Sequence, residues 1–185
     1  MFPFHFKKAV QAVAHLLRTE PSWRMNYMRL LKLLYIADRE SIKETGEPIT
    51  GDRAFAMERG PVLTRLYDLI MERDKNSPEW NRFFQKVHYD LEMTQDPGMA
   101  DLCRYEADKL REIAERYADE DEIALVQRVH QFEEWKKYAP REGASRPIPF
   151  REILEAVDRL EDKESIESDA REHAFARRVL EDPES

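Results

Sequence analysis

The chain has one cysteine, five glycines and no apolar run near the ~20 residues a membrane span requires. One thiol excludes an internal disulfide and a thiolate zinc cage, and it fits the reducing cytoplasm, where we place the protein. So few glycines exclude a Gly-rich phosphate loop and argue against a turn-dense all-β sandwich. The five histidines, His5, His15, His88, His130 and His173, include no pair at metal-ligand spacing with a third ligand nearby. His130 with Glu133 and Glu134 comes nearest, but it lacks a second histidine one turn away. No Gly-x-Ser-x-Gly elbow, Walker loop or dinucleotide fingerprint is present, and neither a metal nor a cofactor is expected. The opening Met-Phe-Pro-Phe-His-Phe-Lys-Lys carries its basic pair after the aromatics and leads into an amphipathic stretch, unlike a secretory signal.

Positive charge is also in deficit: 30 Lys and Arg face 38 Asp and Glu, a net charge of −8. Residues 1–60 hold 10 basic and 7 acidic groups; the remainder holds 20 and 31. Phosphate backbones are bound by clustered cations, so a nucleic acid is a poor partner for such a chain. A basic protein would be attracted to it, although acidity also serves solubility alone.

What is present is enough for a core. Of 185 residues, 42 % are hydrophobic and 10 % aromatic, which fits one domain with a short appendage. Phe6, Val10, Val13 and Leu17 recur on one helical face, and Pro21 is expected to end that helix. Asn26 is a good N-cap for a second helix over 26–45, whose interior is apolar almost all round. Gly46 supplies its left-handed stop. Residues 48–60 lack helical period, and Ile49, Phe55 and Met57 are expected to turn inward from an extended segment. Pro61 suits the first position of a third helix bearing Val62, Leu66, Leu69 and Ile70. Ser77-Pro78 starts a short fourth one with Trp80, Phe83 and Phe84.

Val87, Tyr89, Leu91 and Met93 alternate with polar residues, which predicts one half-buried strand able to pair with 49–57 as a small antiparallel ribbon. Tyr105–Tyr117 is amphipathic, with Cys103 just before it. Asp119 to Glu122 opens a helix filled by Ile123, Leu125, Val126, Val129 and Phe132. Residues 133–149 read as a loop, and Pro149 restarts a helix. From about 162 charge dominates, with Ile166, Ala174, Phe175 and Val179 as a thin stripe; this tail is either a docked helix or one that orders on a partner. The expected fold is mainly α (α+β): a compact helical domain, 1–161, around a central buried helix with a small β ribbon, followed by a charged tail, 162–185.

Lys32, Tyr35 and Asp38 form a narrow polar stripe on the otherwise apolar second helix. Buried charges need partners, and Arg53, Arg59 and Tyr67 are available. The stripe is either an internal network or part of a binding site. A carboxylate pair of Asp38 and Asp52 beside Lys32 is the one arrangement that suggests an enzyme.

This segment resembles the Panacea, or SocA-like antitoxin, domain. The elements that carry the likeness are the Lys-Leu-Leu-Tyr-Ile-Ala run Lys32–Ala37, Gly46–Ile49, Ala56–Val62 with Gly60-Pro61, and Leu66-Tyr67. Leu102–Tyr117, the pair His130 and Trp135, and Pro149–Leu154 follow in the same order, so that the likeness spans about 6–157. Met57 replaces a frequent tryptophan and Cys103-Arg104 replace a usual serine cap. The resemblance implies an antitoxin that neutralises a toxin encoded by an adjacent gene through direct binding, without turnover. It also implies a protease adaptor as an alternative, delivering the toxin to a ClpXP-type protease. On that reading the toxin contacts are expected at Arg53, Met57, Arg59, Tyr67, Trp135, Phe175 and Arg178, with self-association left open.

Overall fold

A computed structural model describes residues 2–141 and 143–181, the last helix by backbone alone at 173, 174 and 176–181. The first amphipathic run forms α1 (Phe6–Leu17), with Val10, Val13, Leu16 and Leu17 buried. It stops before Pro21, at Arg18, and the Thr19 hydroxyl donates to the freed Leu16 carbonyl at 2.7 Å. That bond satisfies one of the terminal carbonyls ahead of Pro21, which has no N–H to offer the Leu17 carbonyl. After β1 (Arg24–Asn26), the Asn26 side chain accepts from the N–H groups of Met28 and Arg29 and starts α2 (Tyr27–Thr45). Gly46 ends it at φ 87°, where a side chain would also press on Ile166. Leu30, Leu31, Leu33 and Leu34 are wholly buried, each stabilising by about 2 kcal/mol. α2 is the central helix, as its composition predicts.

Next comes a hairpin, β2 (Ala54–Met57) and β3 (Gly60–Leu63), then α3 (Thr64–Ile70), α4 (Ser77–Trp80) and a second hairpin, β4 (Phe84–Val87) and β5 (Asp90–Met93). α5 (Arg104–Arg116), α6 (Glu122–Val129) and α7 (Glu133–Tyr138) lead to β6 (Arg146–Pro147), α8 (Phe150–Ala156), a single 3-10 turn at Leu160–Asp162, and α9 (Lys163–Glu181). Asp121 caps α6 by accepting from Ala124 N–H at 2.8 Å. Two small antiparallel sheets result, ordered β1-β5-β4 and β3-β2-β6. The fold is mainly α with small antiparallel sheets. α9 docks its first turns through buried Ile166 and Ala170.

Several expectations are corrected. Segment 87–93 is not one strand: residues 84–93 form a hairpin that turns at His88 and Tyr89, and it pairs with β1 instead of with 49–57. The two-residue turn shifts the phase of the alternation: Val87 pairs with Asp90, so it lies on the face opposite to Leu91 and Met93, which share theirs with Phe84 and Lys86. Leu91 and Met93 are buried, but Tyr89 sits at the tip, 72 % exposed. Pro61 lies in β3 opposite Ala56, so α3 starts only at Thr64. In β2 the inward residues are Ala54 and Ala56, while Phe55 and Met57 are half-buried. Small residues face inward there because α2 runs close beneath the hairpin. Segment 133–149 contains α7 and β6 instead of only loop. Ile123, placed in the core by periodicity, lies on the outer face of α6 and is 63 % exposed.

Candidate functional site

The polar stripe of α2 is where the helix meets three other elements. Lys32 is wholly buried, and its Nζ donates to the Pro61 carbonyl at 2.8 Å. Burial lowers its pKa to about 7. One turn on, the Tyr35 hydroxyl donates to Glu134 Oε1 at 3.0 Å, and Arg39 Nε donates to the same oxygen at 2.7 Å. The Arg39 guanidinium also lies over the Phe132 ring, 4.3 Å from its centroid. Burial, then the Glu134 carboxylate, hold the Tyr35 phenol well above its ordinary pKa. Further along, Asp38 accepts from Thr50 twice, from its N–H at 3.0 Å and from its hydroxyl at 2.5 Å. Burial raises the Asp38 carboxyl to about 7. The expected partners Arg53, Arg59 and Tyr67 take no part. Pro61, Glu134 and Thr50 do, because the hairpin, α7 and the 48–53 loop are what pack on this face.

Beside the Tyr35–Asp38 end lies a cavity of about 350 Å³. Apolar groups of Ile42, Phe55, Ile148, Phe150 and Ile153 make most of its wall, and Phe2 closes one side against Phe150. Asp38 and Asp52 both line it; Lys32 does not. Thr50 ties the Asp38 carboxylate to the backbone of Asp52: its hydroxyl donates to Asp38 and accepts from the Asp52 N–H at 3.1 Å. The Asp52 carboxylate accepts from the N–H groups of Arg53, Arg65 and Leu66, which caps the start of α3 from outside the helix. Its pKa is raised by burial and pulled back by those N–H groups. Both acids therefore have structural partners. Burial thus raises both acids on the wall, Asp38 to about 7. In size and lining the cavity fits a small apolar body.

A second cluster joins α6, α7 and the first hairpin. His130 and Trp135 stack at 3.9 Å with planes 9° apart, and Trp135 Nε1 donates to the Met57 carbonyl at 3.1 Å. Burial lowers the His130 pKa. Gly60, at φ 95°, passes so close that a side chain would come within 2.5 Å of Val129 and 3.5 Å of His130. Gly60 thus packs beside the His130 ring on which Trp135 stacks. Met57 and Trp135, expected as exposed contacts, are half-buried and hold one another.

The other expected contact residues are spread out. Arg53 is exposed at the cavity mouth. Arg59 is exposed at the β2–β3 turn, and Tyr67 is half-buried on α3. The Tyr27 phenol, on α2, is raised in pKa first by burial and then by Tyr67 and Tyr89, and lowered by Arg59. Phe175 is 62 % exposed on α9. The Arg178 side chain lies outside the described residues. Sequence reasoning did not single out Thr50 or Tyr27, and it met Glu134 only beside His130, not as a partner of the stripe. Glu134 carries a usable signal, since the buried stripe needs a counter-charge; the others depend on chain crossings that no local pattern encodes.

Among the described residues no group of three or more potential ligands is placed to hold a metal, and no helix is long and apolar enough to cross a membrane. A family model described as "Antitoxin SocA-like, Panacea domain" matches residues 30–136, more than half of the chain. That span runs from α2 to α7 and contains the polar stripe, both hairpins and the His130–Trp135 stack. No curated protein matches, and no solved structure does.

Proposed function

The chain belongs to the SocA-like antitoxin family with a Panacea domain, and we propose that it is an antitoxin that neutralises a toxin encoded beside it by direct protein binding in the cytoplasm. The observation that carries this reading is the family match itself. The chemistry of the matched segment agrees with it. Lys32, Asp38 and Asp52 are each spent on backbone or on Thr50, so they tie loops to α2. Binding energy then has to come from the outer surface, where a few aromatic and arginine anchors dominate protein interfaces. Arg53, Met57, Arg59, Tyr67, Trp135, Phe175 and Arg178 remain the proposed contact residues. Within the proposal, 1–161 is the binding body and 162–185 an appendage; delivery of the toxin to a ClpXP-type protease would engage that appendage.

The test is co-expression with the product of the adjacent gene. The chain should restore growth and co-purify with that product as a stable complex. Neither rescue nor a complex would remove the reading. Deleting 162–185 separates the mechanisms: rescue that survives the deletion supports occlusion, and rescue that is lost while the complex persists supports delivery.

One observation favours a second reading. An apolar cavity with Asp38 titrating at about 7 on its wall has the make-up of a small-molecule site. On that reading Asp38→Asn abolishes an activity or a ligand-induced stabilisation while the fold is retained.

A further inference from the structure

The cavity beside the Tyr35–Asp38 end of α2 has more acid around it than its cations balance. Asp38 lines it, is only 4 % exposed, and is in no ion pair among the described residues. Its carboxylate accepts from the Thr50 N–H and hydroxyl, both neutral donors. Asp52, on the same wall, accepts from the backbone N–H groups of Arg53, Arg65 and Leu66. The Arg65 guanidinium itself is turned to Asp74, at 2.9 Å.

Two cations also line the cavity, and neither offsets Asp38. Arg39 Nε donates to Glu134 at 2.7 Å, and its terminal nitrogen donates to the Ala156 carbonyl at 3.2 Å. Arg53 is exposed at the mouth, where water and salt screen its charge. Around this end of α2 three carboxylates, Asp38, Asp52 and Glu134, therefore share one buried-side guanidinium, that of Arg39.

The outer wall shelters these acids. Phe2 meets Phe150 edge to face, with ring centroids 5.5 Å apart. Pro3 lies so close to the 48–53 loop that a side chain at Gly51 would come within 2.2 Å of its carbonyl oxygen. His5 N–H donates to the Thr50 carbonyl at 3.4 Å. Residues 2–5 thus lie across the loop that holds Asp38, and opposite charges attract more strongly in such a sheltered place than in open water. The cavity, of about 350 Å³, is roughly twice the ~150 Å³ that accepts a benzene ring.

We propose that this cavity binds a small organic amine, an apolar ring or chain carrying one ammonium group that pairs with Asp38. The inference rests on the small-molecule reading of the cavity and names the ligand class. Phe55, Ile148, Phe150 and Ile153 take the apolar body. The ammonium supplies the counter-charge that Asp38 lacks. The carboxylate is already out of water in the folded chain, so pairing requires dehydration of the ammonium alone. Burial holds this carboxyl at about 7, and an adjacent cation favours its ionised form. A carboxylate head would instead face Asp38 and Asp52 as like charges.

NMR titration of the full chain with phenethylamine, phenethyl alcohol and phenylacetate compares three head groups on one body. The amine should bind about tenfold tighter than the alcohol, and phenylacetate should bind weakest. Asp38→Asn should cancel the advantage of the amine and alter the affinity for the alcohol by less than about twofold. Ile153→Phe fills the cavity from α8 and should weaken amine and alcohol alike by about tenfold. Thermal melts check that each variant folds; if the filled variant does not, the ranking of probes on wild type and Asp38→Asn decides. An amine that binds no better than the other probes, or that keeps its advantage in Asp38→Asn, overturns the ligand class and leaves the small-molecule reading standing. Binding that a folded Ile153→Phe leaves intact overturns the site. Failure of all three probes to bind the wild type removes the inference and the small-molecule reading together, and the antitoxin reading stands or falls on co-expression alone.

Discussion

Lys32 and Pro61 are joined by one hydrogen bond, 2.8 Å from a wholly buried ammonium nitrogen to a backbone carbonyl. It fastens the first hairpin to the middle of the central helix. An ammonium has three protons to donate, and this one meets a single neutral acceptor, so burial lowers its pKa to about 7.

Between that value and the ordinary 10.5, the unfolded chain holds a proton that the folded chain has released. The contribution of Lys32 to stability is therefore complete above pH 10.5 and is lost as the pH falls through about 7, with a slope of at most about 1.4 kcal/mol per pH unit. Lys32→Met should remove this slope and leave the protein as stable as wild type, or more so, at pH 7. Urea unfolding of both proteins between pH 6 and about 9 measures it; an unchanged slope would show that Lys32 is not the group responsible.

Asp38 has the opposite sign. Its folded pKa is raised from 3.8 to about 7, so its contribution is present in full below pH 3.8 and is lost as the pH rises through about 7. Asp38→Asn should flatten stability over that window. Asp38→Ala strands the Thr50 N–H and hydroxyl and should cost about 1–3 kcal/mol. Denaturant midpoints across the window separate the two effects.

Glu134→Ala should be among the most damaging single changes. Its Oε1 serves both Tyr35 and Arg39, and its side chain is fully buried. Removing it leaves a largely buried guanidinium without a counter-charge, at a cost of about 3 kcal/mol or more. Replacing Glu134 and Arg39 together by Met and Leu should recover much of that loss, and a thermal melt of the double variant decides whether it does.

Gly60→Ala should destabilise the hairpin by about 1–3 kcal/mol, since φ is 95° and the new methyl would meet Val129 at 2.5 Å. Val129→Ala in the same chain relieves the contact but not the strain, so rescue should be partial. Full rescue would assign the whole cost to the clash.

The boundaries of α1, α2 and α8 were legible because each carries its own instructions: a repeat near 3.6 residues, an Asn26 cap, a Gly46 stop, a Pro149 start. The hairpin at 84–93 was not, since its turn at His88 and Tyr89 carries no glycine, asparagine or proline and the apolar alternation over 87–93 runs on through it although the facing changes there. The residues of the stripe could be picked out as polar groups in an apolar helix, but Thr50 and Glu134 as their partners could not.

The amino-acid order by itself determined a helical globule about α2, the left-handed stop at Gly46, and the need of Lys32, Tyr35 and Asp38 for partners, because these follow from interactions over a few residues and from the cost of burying charge. Tertiary structure alone decided which strands paired, which acid faced which donor, and that the rings of Tyr27 and Tyr89 stack. Those outcomes depend on contacts between segments far apart in the chain, selected by the packing of the whole core.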